Sequence, residues 1–371
     1  MEARSGIREI FTGRKVLVTG HTGFKGSWLC EWLLLMGAKV SGLGLEPPTS
    51  PALFDQLGLA SRMDHRIGDI RDAALVADCV KETNPEFIFH LAAQALVRLS
   101  YREPLETYAT NVLGTAHVLE AVRALGGRRV VICVTTDKCY ENREWLHAYR
   151  EEDPLGGHDP YSSSKAAAEL VISAYRDSFF RNTDVALASA RAGNVIGGGD
   201  WALDRIVPDS MRALDAGEAV PVRNRHATRP WQHVLEPLGG YLALAGKIFD
   251  AQARRSADEL RTLCSAFNFG PLLDSNQPVS TLVTEILKHR SGSWVDQSDP
   301  AAPHEAGRLN LSIDRAFHLL GWLPVWNFKR TVAETTRWYI DAAADDLPRF
   351  TRTQIETYLA DAAQAGLSWA R

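Results

Sequence analysis

The sequence has no long apolar run. Among its 371 residues there is no stretch of the roughly 18 apolar residues a bilayer-spanning helix requires, so no membrane span is expected. Met1 to Thr12 is mixed and charged, without the apolar core of a signal peptide. Cysteine is scarce: the five present are Cys30, Cys79, Cys133, Cys139 and Cys264. They show no metal-ligand spacing, and most stand among apolar residues. A scattered, odd-numbered set reads as free thiols in a reducing compartment, so a cytoplasmic location and no bound metal are expected. An excess of one charge is missing too. The net charge of -4 gives no electrostatic case for nucleic acid or an anionic membrane. Repeats and low-complexity tracts are absent. What remains is an ordinary globular composition, 45% hydrophobic and 23% charged, on a chain long enough for one large core or two moderate ones.

The first half alternates short apolar runs with helical patterns. Strands are predicted at 15–19, 39–44, 64–67, 86–91, 128–134 and 185–190, and helices at 26–36, 72–83, 104–125 and 161–180. Several strand runs are continuously apolar, as for strands covered on both faces. This alternation predicts an α/β fold: a Rossmann-type, doubly wound parallel sheet. After about residue 195 the pattern changes, punctuated by Gly197-Gly198-Gly199-Asp200 and Pro208. Residues 1–195 therefore read as a cofactor-binding domain and 196–371 as mainly a smaller α/β substrate-binding domain. An amphipathic helix at 234–248 and a strand end at 267–270 are expected to return to the main sheet.

Two motifs carry the chemistry. Lys15-Val16-Leu17-Val18-Thr19-Gly20 leads into Gly20-His21-Thr22-Gly23-Phe24-Lys25-Gly26 and then an apolar stretch from Trp28 to Met36. Strand, glycine turn and helix in that order let a diphosphate approach free N–H groups at a helix N-terminus. About 140 residues later Tyr161 and Lys165 stand four apart, on one face if the stretch is helical. A free tyrosine, with a pKa of about 10, is a poor base at neutral pH. Lowering it by roughly three units takes about 4 kcal/mol, which one charge at about 4 Å supplies in an effective dielectric of about 20. Tyr-x-x-x-Lys is thus a route to a base that removes a hydroxyl proton during hydride transfer. Arg223, Arg225 and Arg229 form a further cluster, either a local anion site or a solvated loop.

The glycine spacing, Thr136-Asp137-Lys138-Cys139-Tyr140, Asp159-Pro160-Tyr161 through Lys165, the block 191–209 and Arg229 through Pro237 together resemble the CDP-glucose 4,6-dehydratases of the extended short-chain dehydrogenase/reductase family. The similarity runs from about residue 13 to about 340, and the last thirty or so residues carry no motif. The resemblance implies a homo-oligomeric lyase with NAD, a homodimer or homotetramer joined through 104–125 and 161–180. It implies oxidation of CDP-glucose at C4, loss of water across C5 and C6, and hydride return to C6, as in deoxysugar and O-antigen biosynthesis.

The same resemblance distributes roles. Tyr161 takes the 4-hydroxyl proton. Lys165 holds the nicotinamide ribose and lowers the phenol pKa. Thr136 hydrogen-bonds the 4-oxygen. Asp137 protonates the departing 6-hydroxyl, which requires a protonated carboxyl that burial favours. Lys138 is either the C5 base or a structural partner of Asp137. Gly20, Thr22, Gly23, Phe24, Lys25 and Gly26 line the cofactor, with Asp69 and Ile70 at the adenine, and Leu91, Ala92, Ala93 and Asn111 along its length. Gln94, Asn194, Arg205, Arg229, Asn268 and His304 are expected at the substrate, with Glu305 beside them. Trp201 and Trp231 either stack on a base or pack in the core. One departure concerns the second strand, which ends at Gly42-Leu43-Gly44-Leu45-Glu46 without the ribose-binding aspartate, so the preference for NAD rests on the resemblance. Alternatives are a dehydratase of another nucleotide sugar, an epimerase, or a catalytically silent NAD-binding sensor.

Overall fold

Seven parallel strands form the centre of a computed structural model that describes residues 6–298, 309–341 and 346–370. Six come from the first half: β1 (Lys15–Thr19), β2 (Lys39–Gly44), β3 (Asp64–Ile67), β4 (Phe87–His90), β5 (Arg129–Val134) and β6 (Val185–Ala192). The seventh, Ala266–Phe269, pairs with β6 at the sheet edge, Asn268 opposite Arg191. The order is Ala266–Phe269, β6, β5, β4, β1, β2, β3. From β1 the chain winds outward through β2 and β3, then returns to β4 on the other side of β1 and winds outward again. The direction of winding reverses between β1 and β4, and a crevice opens there beyond the carboxyl ends of the strands.

Every residue of β4, β5 and β6 is buried, because helices cover both faces. Phe11, Trp28, Trp32, Phe87, Phe89 and Tyr241 fill one side. Leu17, Ile88, Val118, Val131 and Leu187 fill the other. The region 104–125 is not one regular helix. Pro104–Tyr108 and Gly114–Leu125 flank a π-helical turn at Ala109–Leu113, and a second such turn, Arg176–Phe180, follows the helix Pro160–Tyr175.

The segment expected to be amphipathic is a helix, Leu235–Ala253, but it is buried on nearly every side from Leu235 to Gly246. It is a central packing element, which an amphipathic reading misjudges. Gly239 and Gly240 let the Trp369 and Phe269 rings come close. The final residues also carry structure. Helices Phe328–Asp341 and Leu347–Gln364 pack together through Trp338 Nε1 donating to Thr351 Oγ1 at 3.0 Å. No helix among the described residues is long and apolar enough to cross a membrane. Four cysteines are buried, Cys264 is half-buried, and all five are free thiols.

Candidate active site

The turn after β1 is shaped for a close approach. Gly20 has φ +72°, and a Cβ there would lie 2.7 Å from the Ala92 backbone nitrogen. A Cβ on Gly26 would lie 2.1 Å from the Gly20 carbonyl oxygen. Neither position tolerates a side chain, so the helix Phe24–Leu35 starts tight against the strand with its first N–H groups facing the crevice. Thr22 Oγ1 donates to Leu45 O at 2.8 Å and ties the turn to the end of β2. On the other side of the crevice, Ala92 N donates to Thr19 Oγ1 at 3.2 Å, fixing the loop Leu91–Ala93. Asn111 sits in the first π turn. Its side chain accepts from Gln94 N at 2.9 Å and donates to Gln94 O at 3.0 Å and Ser164 Oγ at 2.9 Å. The bulge thereby places one amide between the crevice loop and the helix of Tyr161 and Lys165.

That helix begins at Pro160 because Asp159 caps it: the carboxylate accepts from Ser162 N at 2.9 Å, and proline suits the first helical position. Ser100 Oγ accepts from Tyr161 N at 3.1 Å and anchors the same end. Tyr161 is 8% exposed, and the Thr136 side chain lies close enough to its phenol to favour the ionised form. Thr136 Oγ1 donates to Asp137 Oδ1 at 3.0 Å. A polar run therefore connects phenol, hydroxyl and carboxyl. Asp137, Lys138, Asn194, Arg229, Pro230 and Leu309 line one small cavity. Lys138 Nζ donates to Asn194 Oδ1 at 3.5 Å, and no ion pair joins it to Asp137 among the described residues.

The electrostatics differ from the sequence expectation at one point. The Tyr161 phenol is not lowered here but raised. Removal from water pushes Tyr161 up to about 12, against the opposing pull of Thr136 and Arg205. Lys165 Nζ donates instead to Val134 O at 3.3 Å, and burial brings its own pKa down to about 8. Lys25 is also near 8, chiefly through burial and then through Arg205 and Lys165; Asp137 acts in the opposite sense. Lys25 thus lies within reach of Arg205, Lys165 and Asp137, and Arg205 also acts on the phenol, a field that favours anions.

The model of the GDP-mannose 4,6 dehydratase family matches residues 17–335. The chain is 46% identical to a CDP-glucose 4,6-dehydratase of Salmonella typhimurium, over 90% of this chain and 92% of that one. It belongs to this dehydratase family. A dTDP-glucose 4,6-dehydratase of Xanthomonas campestris is 27% identical over 87% of this chain and 92% of its own. Among solved structures, the DesIV dTDP-glucose 4,6-dehydratase from Streptomyces venezuelae, with NAD and TYD bound, superposes with a TM-score of 0.71. Sequence identity there is 25%, over 88% of this chain and 97% of that one.

Other expected site residues of this dehydratase-family chain lie elsewhere or are already engaged. Asn268 is fully buried, accepting from Tyr140 OH at 2.7 Å and donating to Tyr149 O at 3.0 Å, so both ends of its amide are engaged inside the protein. Gln94 turns its side chain back onto Leu96 and Thr107. Arg205 Nη1 pairs with Asp200 Oδ2 at 2.9 Å yet stays close enough to act on Tyr161 and Lys25. Arg229 lines the cavity, but Arg223 pairs with Asp204 and Asp209, and Arg225 with Asp296, so two of the three clustered arginines are neutralised locally. Asp69 holds Arg71 at the surface, and Ile70 is buried against Gly114. Trp231 and Trp201 pack in the protein, their indole N–H groups donating to Gln277 O and Gln56 Oε1. His304 and Glu305 lie outside the described residues.

Proposed function

We propose that this chain is a CDP-glucose 4,6-dehydratase, a hydro-lyase working with NAD. The observation that carries the reading is the joint placement of Asp137 and Lys138 in one cavity, one hydrogen bond from the Tyr161–Thr136 pair. An epimerase needs the tyrosine but has no need of an acid and a base for elimination. The 46% identical relative has the same activity in its name. The Gly20–Gly26 turn, Ala92 and Asn111 fit a dinucleotide, since a Cβ at Gly20 or Gly26 would fill the approach. When bound, NAD supplies a hydride acceptor for C4 and a hydride donor for C6.

The protein does the rest. Tyr161 takes the proton of the 4-hydroxyl, while Thr136 steadies the 4-oxygen as its charge grows. The ketone at C4 acidifies the C5 hydrogen. Lys138 removes that proton and Asp137 gives one to the 6-hydroxyl, which leaves as water. Asn194 and Arg229, which line the same cavity, fit the sugar and its diphosphate. Lys25 and Arg205 add positive charge toward the same space. The cofactor side is assigned to residues 1–195 with the segments near 234–270, and the nucleotide-sugar side mainly to 196–371. The absence of disulfides suits a cytoplasmic enzyme. Exposed Leu105, Leu113, Leu170 and Phe179 lie on 104–125 and 161–180 and suit a homodimer through these helices.

The test is incubation with CDP-glucose, dTDP-glucose, UDP-glucose and GDP-mannose, with mass spectrometry for loss of water. Dehydration of CDP-glucose well ahead of the other three is expected. Faster turnover of another sugar nucleotide would move the assignment to that substrate, and isomerisation without water loss would make the chain an epimerase.

A further inference from the structure

Beneath the site lies a second layer of charge that the mechanism does not use. Glu169 stands one helical turn beyond Lys165 on the same face. It is 3% exposed and has three donors: Thr135 Oγ1, Ser189 Oγ at 2.8 Å and Arg191 Nη2 at 2.9 Å. Arg191 is 4% exposed, and its other nitrogen, Nη1, donates to Tyr140 OH at 2.8 Å and to Glu151 O at 3.0 Å. Each partner reaches one end of the catalytic framework. Thr135 directly precedes Thr136. Tyr140 ends the short turn that carries Asp137 and Lys138. Arg191 ends two residues before Gly193, where a Cβ would lie 3.0 Å from Asp137 Oδ2.

We propose that the Glu169–Arg191 pair is the positioning element of this active site. It holds the Thr135–Tyr140 turn, the end of β6 and the helix of Tyr161 in register, and Glu169 supplies the negative charge that keeps Lys165 cationic. The second half of this statement rests on the dehydratase reading of Lys165. The surroundings make Glu169 the decisive group. Lys165 faces Cys133 of β5, Cys139 of the following turn, His90 of β4 and Lys25 of the glycine-turn helix. The thiols are protonated, since burial raises both. His90 is held neutral, and Lys25 repels. Glu169 is the carboxylate that acts on Lys165, and its own pKa is held below the ordinary value by Arg191, Thr135 and Ser189 against the cost of burial.

The experiment is Glu169→Gln in the NAD-loaded enzyme, with the pH profile of kcat and, separately, the pH dependence of NAD binding read by tryptophan fluorescence. The amide keeps the shape and loses the charge. We expect kcat to fall about tenfold with little change in KM, and the alkaline limb to move at least about half a unit toward acid, because Lys165 then loses its proton sooner. The double variant Glu169→Gln, Arg191→Met should move the limb back, since the unopposed guanidinium is gone. A slower enzyme with the wild-type limb would leave Glu169 a merely structural residue and overturn the proposal. If Glu169→Gln does not fold, Glu169→Asp carries the test: the charge stays, so kcat should fall while the limb holds its place, and a moved limb overturns the idea. The binding profile needs no sugar nucleotide. If no sugar nucleotide is turned over, the dehydratase reading fails, and the shift in NAD binding still decides the role of Glu169.

Discussion

Two fully buried carboxylates in this protein have opposite fates. Glu169, behind the active site, accepts three hydrogen bonds, one from the Arg191 guanidinium, and is held below the ordinary carboxylate range. Glu236, under the C-terminal helix, also accepts three, from Val325 N at 2.9 Å, Trp326 N at 2.7 Å and Tyr358 OH at 2.8 Å. All three of its donors are neutral, and burial pushes it up to about 7. Equal numbers of hydrogen bonds therefore do not give equal ionisation. A paired cation decides whether a buried acid keeps its charge. The same contrast separates two regions. Around Tyr161 the protein concentrates charge that has a chemical use. Around Glu236 it ties down a clamp made of Trp326, Tyr358 and Trp369 with nearly neutral groups.

The sharpest way to separate these regions is Tyr161→Phe. The ring still packs, so CDP-glucose binding and the melting temperature should hold, while turnover falls by about 10²–10⁴-fold, the usual cost of losing a general base. Retention of more than about a tenth of the rate would take the phenol out of the proton transfer.

Asp137 and Lys138 divide the site further. Asp137→Asn should slow water loss more than oxidation at C4, which rapid absorbance and mass spectrometry can resolve in a single turnover. Lys138→Met should slow uptake of solvent deuterium at C5. Because Lys138 approaches Asn194 rather than Asp137, the two groups do not neutralise each other, and the two variants should fail at different steps. Wild-type water loss in the first, or wild-type deuterium uptake in the second, would empty the corresponding role.

The sheet was legible because parallel strands buried on both faces leave continuous apolar runs: β1, β2 and β3 lie at the predicted residues, and β4 to β6 differ only at their ends. Tyr161, Lys165 and the glycine turn were legible as short local patterns. What stayed hidden was tertiary. Asn268 looks like a site asparagine, and its bonds to Tyr140 and Tyr149 are invisible in the sequence. Glu169 announces itself only by its spacing from Lys165, and its partner Arg191 arrives from another strand. Gly198 looks like loop punctuation. A Cβ there would lie 1.9 Å from the Trp338 ring, so the glycine marks where the C-terminal helices support the Asp200–Arg205 loop. The final helix carries no motif because its contacts, such as Arg352 with the buried Glu31 at 2.7 Å, span the whole chain.

The smallest expected effect belongs to Glu236→Gln, and it tests the comparison most directly. A carboxyl whose folded pKa of about 7 lies above the ordinary glutamate value of 4.5 holds its proton in the native state over a window where the unfolded chain has lost it. The native state then binds more protons, so its stability contribution is full below about 4.5 and declines as pH rises to about 7. At about 1.4 kcal/mol per unit, the decline is of order 3 kcal/mol. Glutamine cannot titrate, but its amide nitrogen replaces one oxygen and cannot accept what that oxygen took, from Trp326 N on one side or from Val325 N and Tyr358 OH on the other, a loss of about 1–2 kcal/mol. Urea melts should therefore find the variant less stable than wild type at pH 5. The gap should close or reverse by pH 8, with kcat unchanged at both. A constant gap across that range would mean that Glu236 is ionised throughout, and that three neutral donors can hold a buried carboxylate charge without the cation that Glu169 requires.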